Sequence, residues 1–247
     1  MAAKMRADRL LVARGLFESR AKARAAIEAG LVTANAVQVR KPSDEIADDA
    51  RIDASPAFPY VSRGGVKLAH ALDTFDFSPA NRACLDVGAS TGGFTEVLVM
   101  RDATRVYAVD VASAQLHARL RAEPRVVSIE QQDIRTLNAA RLDPRPRALV
   151  IDVSFVSLAA VLPASVAALD PSAGDAWLVA LVKPQFEVGR AHVRKGGVVR
   201  DAEQQQAACA RIAECVRGLG WTVRDAIPSP IHGGDGNAEF LLGATRG

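Results

Sequence analysis

The 247-residue chain has only three cysteines, Cys84, Cys209 and Cys215. An odd number set in apolar helix- or strand-like stretches argues against a disulfide framework. Long apolar runs are also missing. The longest uncharged stretch, 153–169, has 17 residues and contains Pro163 and three serines. That is short of the roughly 20 apolar residues a bilayer-spanning helix needs, so no membrane partner is expected. No opening segment joins a basic start to an apolar core and a cleavage site, which points to the cytoplasm. His70, His117 and His232 share no ligand spacing with one another or with the cysteines, so no metal site is expected. Charge of one sign is not dominant either, the net being +3. What is present, 49% hydrophobic and 24% charged residues, describes a soluble globular protein. At this length one large domain, or a small one beside a medium one, is expected.

The small net charge conceals a division. Residues 1–41 hold nine basic and three acidic side chains, a net of +6, which leaves −3 for residues 42–247. A basic head on a faintly acidic body suits contact with a polyanion. Within the head, Asp8 to Arg14 reads as a short helix closed by Gly15. Ser19 caps a second helix carrying Ala23, Ala26 and Ile27, which Gly30 stops. Leu31–Val32, Val37 and Val39 read as strands around a turn near Asn35. Arg20 and Arg24 are four apart and share a helix face, an arrangement suited to phosphate contacts. Residues 51–63, with Pro56 and Pro59, form the boundary, which places the domains at 1–62 and 63–247.

From residue 82 the pattern alternates strand and helix. Short runs rich in Val, Ile and Leu at 83–87, 106–109, 126–129, 148–151 and 177–182 are separated by amphipathic stretches. This predicts an α/β fold, a Rossmann-like doubly wound sheet that is mostly parallel and covered on both faces. Two further strands, 221–227 and 239–242, have no helix between them and predict an antiparallel hairpin at the edge. Ligands of such folds bind at the carboxyl ends of the strands.

The first strand runs into Gly88-Ala89-Ser90-Thr91-Gly92-Gly93-Phe94. This is neither the Gly-x-Gly-x-x-Gly of dinucleotide-binding folds nor a Gly-Lys-Ser/Thr phosphate loop. Asp110 closes the second strand, where a carboxylate can take hydrogen bonds from ribose hydroxyls, and Asp133, followed by Ile134, ends the third. Acid at three strand ends without a phosphate-binding lysine looks like a site for S-adenosylmethionine, which has ribose and adenine but no phosphate. Asp152 and Lys183 end the fourth and fifth strands on the same rim.

Two resemblances follow. Arg6-x-Asp8-x-x-Leu11, Gly15, Ser19-Arg20-x-x-Ala23, Ile27 and Gly30-x-Val32 resemble the small RNA-binding domain named after the fourth protein of the small ribosomal subunit. That domain usually continues with a Val-Asn-Gly turn, where this chain has Ala34-Asn35-Ala36. The resemblance implies RNA contacts from Arg6, Arg20, Lys22 and Arg24. In the body, Lys67, Asp152, Lys183 and Glu239 match in order and context the Lys-Asp-Lys-Glu tetrad of FtsJ-type RNA 2′-O-methyltransferases. Together with the strings Ser62-Arg63-Gly64-Gly65-x-Lys67-Leu68, Lys183-Pro184-Gln185-Phe186-Glu187 and Gly196-Gly197-Val198-Val199, the match extends to the TlyA family, whose members are often labelled hemolysins.

The family implies methylation of ribose 2′-hydroxyls in ribosomal RNA or ribosomal subunits, with S-adenosyl-L-methionine as cofactor. A 2′-hydroxyl is a poor nucleophile until a base takes its proton. Lys183 is the candidate base; an ordinary lysine is protonated at neutral pH, so such a role asks for a neighbouring cation or desolvation. The 186–199 stretch after it, with Arg190, His192, Arg194 and Lys195, reads as a loop that closes on RNA, and Arg63 joins these as an RNA contact. Two other readings remain, a non-catalytic RNA-binding assembly factor and a membrane-active hemolysin. The complete tetrad argues against the first, and the lack of a spanning or strongly amphipathic segment against the second.

Overall fold

The computed structural model describes residues 3–189, 197–233 and 236–247. The chain forms two compact units, Met1–Pro59 and Tyr60–Gly247. The division falls three residues before the expected boundary. Tyr60–Ser62 go with the second unit because the Val61 N–H donates to the buried Glu96 carboxylate there.

The first unit contains β1 (Lys4–Arg6), α1 (Ala7–Ala13), α2 (Arg20–Glu28), β2 (Val32–Ala34), β3 (Val37–Gln38), β4 (Glu45–Ala47) and β5 (Ile52–Ala54). The Ser19 hydroxyl caps α2 by accepting the Lys22 N–H at 3.3 Å. Gly15 and Gly30, both left-handed, follow the two helices. Leu10, Leu11, Phe17, Ile27, Val32 and Ile46 fill a small core between the helices and two small sheets, β1–β4 and β3–β2–β5. Strands β1, β4 and β5 are each three residues long, too short to leave a period in the sequence.

Asn35 and Ala36 join β2 to β3 as a two-residue hairpin loop with φ of 50° and 64°. Both central residues are left-handed, as a type I′ turn requires, and the second is where Gly is favoured. Ala36 therefore holds its conformation against a Cβ clash. Replacing it relieves that strain and adds chain entropy to the unfolded state, two effects of opposite sign. The strain dominates at φ of 64°, so Ala36→Gly is expected to stabilise the first unit by about 1 kcal/mol. Slower hydrogen exchange of that unit's amides in the full chain would register it, and unchanged or faster exchange would refute it.

The second unit contains α3 (Gly64–Phe75), β6 (Ala83–Val87), α4 (Gly93–Met100), β7 (Arg105–Val109), α5 (Ala118–Arg121), β8 (Val126–Ile129), β9 (Ala148–Ile151), α6 (Leu158–Ala167), β10 (Ala176–Val182), α7 (Pro184–Glu187), α8 (Ala202–Gly218), β11 (Thr222–Pro228) and β12 (Phe240–Arg246). Its seven-stranded sheet has the order β11-β12-β10-β9-β6-β7-β8. The five strands from β10 to β8 are parallel, and β12 runs against both of its neighbours. The expected hairpin forms, but only β11 is at the edge; β12 is inserted between β11 and β10. Seven residues of β12 pair with β10, a longer strand than the four read from the sequence.

Alternate residues of each central strand serve opposite faces. Leu85, Leu149, Ile151, Leu178 and Val182 pack with Leu158, Leu162, Ile212 and Val216 from α6 and α8. Cys84, Val150, Val179 and Leu181 pack with Leu68, Leu72, Val97 and Leu98 from α3 and α4. Burial on both faces is why these strands read as continuous apolar runs. The chain is an α/β protein with a Rossmann-like sheet.

Candidate active site at the carboxyl ends of the strands

β6 ends at Val87, and Gly88 turns the chain with a φ of +84°. The close approach explains the residue type, since a Cβ there would run into the Asp152 carbonyl. The loop then enters α4 through Gly92, also left-handed at φ +96°. Beside it opens a cleft of about 520 Å³, within the usual range for a small-molecule site. Gly88, Ser90, Asp110, Asp133, Ile134 and Asp152, all named from the sequence, line it.

The Asp110 carboxylate accepts the Ser90 N–H at 2.7 Å and the Ala112 N–H at 2.8 Å, which orients it at the end of β7. Asp133 pairs with Arg135 at 2.5 Å, and that guanidinium holds its carboxyl below the usual range. Ala89, Thr91, Gly92, Gly93 and Phe94 are not in the lining. Phe94 is buried in the core beneath the loop. Gly92 is small because Leu116 and Leu120 crowd it, and Gly93 because Ser62 and the Gly65 nitrogen do. Sequence reasoning missed Gln115, Gln132, Arg135 and Phe155 as lining residues. Gln132 and Arg135 flank Asp133-Ile134, and Gln115 and Phe155 lie in no motif named from the sequence.

One carboxylate beneath the loop is wholly buried. Asp86 is 0% exposed and accepts the Thr95 hydroxyl at 2.6 Å, while its Oδ1 has no partner. Burial first, and then the nearby Asp152 and Asp110 carboxylates, push it up to about 7 against the Thr95 hydrogen bond. A folded value above the unfolded one means that the native state binds the proton more tightly. This leaves stability unchanged below about pH 4 and lowers it as pH rises toward 7. Asp86→Asn should remove that loss, which is on the order of 4 kcal/mol at pH 8. Trp177 and Trp221 both lie in the second unit, so urea unfolding followed by tryptophan fluorescence at pH 5 and pH 8 reads it. Equal pH dependence in both proteins would contradict the assignment.

Lys67, Asp152, Lys183 and Glu239 form two ion pairs. On α3, the Lys67 ammonium bonds the Glu239 carboxylate, and both side chains are buried. Lys183 Nζ lies 2.6 Å from Asp152 Oδ1 and 2.7 Å from Ser154 Oγ. Asp152, Lys183 and Glu239 flank the adjacent strands β9, β10 and β12 on the rim that carries Gly88. Next to Ser154, Phe155 is 92% exposed with a φ of +66°, and its ring centroid lies 5.3 Å from that of Phe186. An exposed aromatic at a strained backbone position, next in sequence to the Ser154 that bonds Lys183, is a surface on which a planar ring can stack.

Arg63 is exposed at the start of α3. Arg190, Arg194 and Lys195 lie outside the described residues. In the first unit the named cations are already partnered. Arg6 and Arg20 both bond the buried Asp8, at 3.1 and 2.6 Å, and Arg6 first, then Arg20, bring its carboxyl down to about 2. Lys22 pairs with Glu18 and Arg24 with Glu28, each one helical turn away. Arg9, Arg40 and Lys41, which the sequence reading counted only in the net charge, are exposed.

The FtsJ-like methyltransferase model matches residues 60–246, and the S4 domain model matches residues 5–52. A 16S/23S rRNA (cytidine-2′-O)-methyltransferase, TlyA of Mycobacterium tuberculosis, is 43% identical over 98% of this chain and 90% of its own. The chain belongs to the TlyA family of FtsJ-like methyltransferases. It is an S-adenosylmethionine-dependent enzyme. Another member, hemolysin A of Brachyspira hyodysenteriae, is 40% identical over 96% of this chain and 98% of its own. A solved structure from Streptococcus thermophilus, described as a hemolysin, is 38% identical and superposes with a TM-score of 0.77, covering 100% of this chain and 90% of that one. Among the described residues no helix is long and apolar enough to cross a membrane.

Proposed function

We propose that the chain methylates a ribose 2′-hydroxyl in ribosomal RNA, in the cytoplasm and on ribosomal subunits, with Lys183 as base within the Lys67, Asp152, Lys183 and Glu239 tetrad. The observation that carries this is Lys183 Nζ held between Asp152 and Ser154 on the rim next to the cofactor loop. The cleft fits the cofactor. Val87, Val109 and Ile134 offer apolar walls for an adenine, Asp110 is an oriented acceptor for ribose, and three carboxylates suit a cation. When bound, S-adenosylmethionine supplies a methyl group already activated on a sulfonium.

With substrate bound and its own proton first released to solvent, the neutral Lys183 amine would take the 2′-hydroxyl proton as the methyl group is transferred to that oxygen. Asp152 then faces the ammonium so formed, and Ser154 fixes its direction. The buried Lys67–Glu239 pair holds α3 against the start of β12. Phe155 and Phe186 offer a stacking face for the base, while the S4 unit grips phosphate through its basic surface, so affinity should fall with salt.

Purified protein, ribosomal subunits and methyl-labelled S-adenosylmethionine test the proposal. The expected product is an alkali-resistant 2′-O-methylated dinucleotide in ribosomal RNA. Label confined to bases, or none in RNA, would overturn it.

A further inference from the structure

The two loops that meet in the Lys183–Asp152 contact are tied together a second time, away from the reacting groups. α7 begins directly after Lys183 and ends at Glu187, whose side chain is 1% exposed. Glu187 Oε1 accepts the Leu158 N–H at 2.7 Å, and Oε2 accepts the Ser157 hydroxyl at 2.7 Å. Ser157 is the N-cap of α6 and Leu158 its first residue, so the carboxylate sits where a helix start favours negative charge. Residues 152–157, which run from the end of β9 to that cap, carry Asp152, Ser154 and Phe155. From α8, Arg211 Nη2 bonds both Glu187 Oε2, at 2.5 Å, and the Glu187 backbone carbonyl.

Such an arrangement has an energetic logic. A buried carboxylate is costly unless its lone pairs are filled, and here a backbone N–H, a hydroxyl and a guanidinium fill them. The resulting unit joins the end of α7, the start of α6 and the middle of α8, and the first two adjoin the loops that contribute the atoms around Lys183 Nζ. Sheet pairing fixes the backbone as far as Asp152, whose N–H donates to the Val87 carbonyl, and Val182, which lies opposite Phe240 of β12, but not the course of residues 153–157 and 184–187 beyond them. Glu187 supplies that missing constraint.

We infer that Glu187 is a positioning residue for methyl transfer: by clamping the 183–187 turn to the N-terminus of α6, it sets the place of Lys183 against Asp152 and Ser154. Ser157 and Arg211 are its supports. The inference rests on the reading of Lys183 as base. Because Glu187 is not among the residues that line the cofactor cleft, its loss should act on turnover and leave cofactor binding alone.

The test compares Glu187→Ala, Glu187→Gln, Ser157→Ala and Lys183→Ala in the full chain, with subunit methylation and cofactor calorimetry as readouts. Glu187→Ala is expected to lower kcat about 10- to 100-fold, as for a misplacement of about 1 Å, with both KM values and the cofactor Kd within about twofold. Glu187→Gln keeps an acceptor for the Leu158 N–H and should recover most of that loss. Ser157→Ala removes the hydroxyl's bond to Glu187 and its cap on the Ala159 N–H without leaving a charge unpaired, so it should fold even if Glu187→Ala does not, and should lower kcat severalfold with KM unchanged. An unchanged kcat in Ser157→Ala together with an unchanged kcat or non-folding in Glu187→Ala overturns the inference, as does a loss that appears equally in KM. An active Lys183→Ala would instead overturn the base assignment, and with it the premise.

Discussion

Lys183→Ala should abolish methyl transfer to within about 10²- to 10⁴-fold of the wild-type rate, the range general-base catalysis contributes. The side chain is 11% exposed and bonds Asp152 and Ser154, so its removal leaves two polar groups that nearby water can satisfy, and the fold should persist. Cofactor affinity should change little, because Lys183 is not in the cleft lining. Lys183→Arg is the sharper variant. It preserves positive charge and an ion pair with Asp152, but a guanidinium does not give up its proton and cannot act as base. If the lysine only holds RNA by charge, Lys183→Arg should retain most activity. If it moves a proton, both variants should fail alike. Single-turnover methylation of ribosomal subunits at saturating cofactor distinguishes the two.

The second large effect is expected at Gly88. An alanine there would be forced to φ +84°, at a cost of about 1–2 kcal/mol, and would also press its Cβ on the Asp152 backbone, whose carbonyl carbon would lie 2.9 Å away. Overpacking of that kind adds roughly 1–3 kcal/mol. Gly88→Ala should therefore destabilise the second unit by about 2–5 kcal/mol. The displaced backbone is the one that carries Asp152, so the cofactor loop and the Lys183 partner would shift together, and turnover should fall by about 10² or more even in folded protein. Gly174→Ala is a suitable control. Its Cβ would meet nothing within 4 Å, so it should change stability by less than about 0.5 kcal/mol. Urea unfolding read by tryptophan fluorescence, beside the methylation assay, tests the pair, and equal behaviour of the two variants would refute the argument.

Legibility in the sequence followed the physics of each element. Strands buried on both faces announced themselves as runs such as Leu149–Ile151, and the acids at their ends stood out because polar residues interrupt those runs. Asp152 and Lys183 could be placed on the rim because they follow strand runs, whereas the grouping of Lys67, Asp152, Lys183 and Glu239 came from the resemblance to FtsJ-type enzymes. Arg135, Gln115 and Phe155 were not legible, since they enter the cleft from irregular loops whose paths no periodicity encodes. The insertion of β12 was also hidden; a hairpin's pattern states that two strands pair, not which of them meets the rest of the sheet. In the S4 unit the net charge was visible but its pairing was not. Arg6 and Arg20 meet over Asp8 only when α1 and α2 pack, twelve residues separating Asp8 from Arg20.

The place of β12 also bears on the order in which the enzyme can become active. This strand, last in sequence within its unit, pairs on one side with β10 and on the other with β11, and Glu239 stands directly before it. A nascent chain ending before residue 239 could form the parallel ladder from β8 to β10, but it would leave the β10 edge open and Lys67 without its carboxylate. Long-range pairing of this kind comes late in folding. The Lys67–Glu239 pair is thus deferred until the whole unit has been made, and an incomplete chain has an unpaired strand edge beside a buried lysine without its carboxylate.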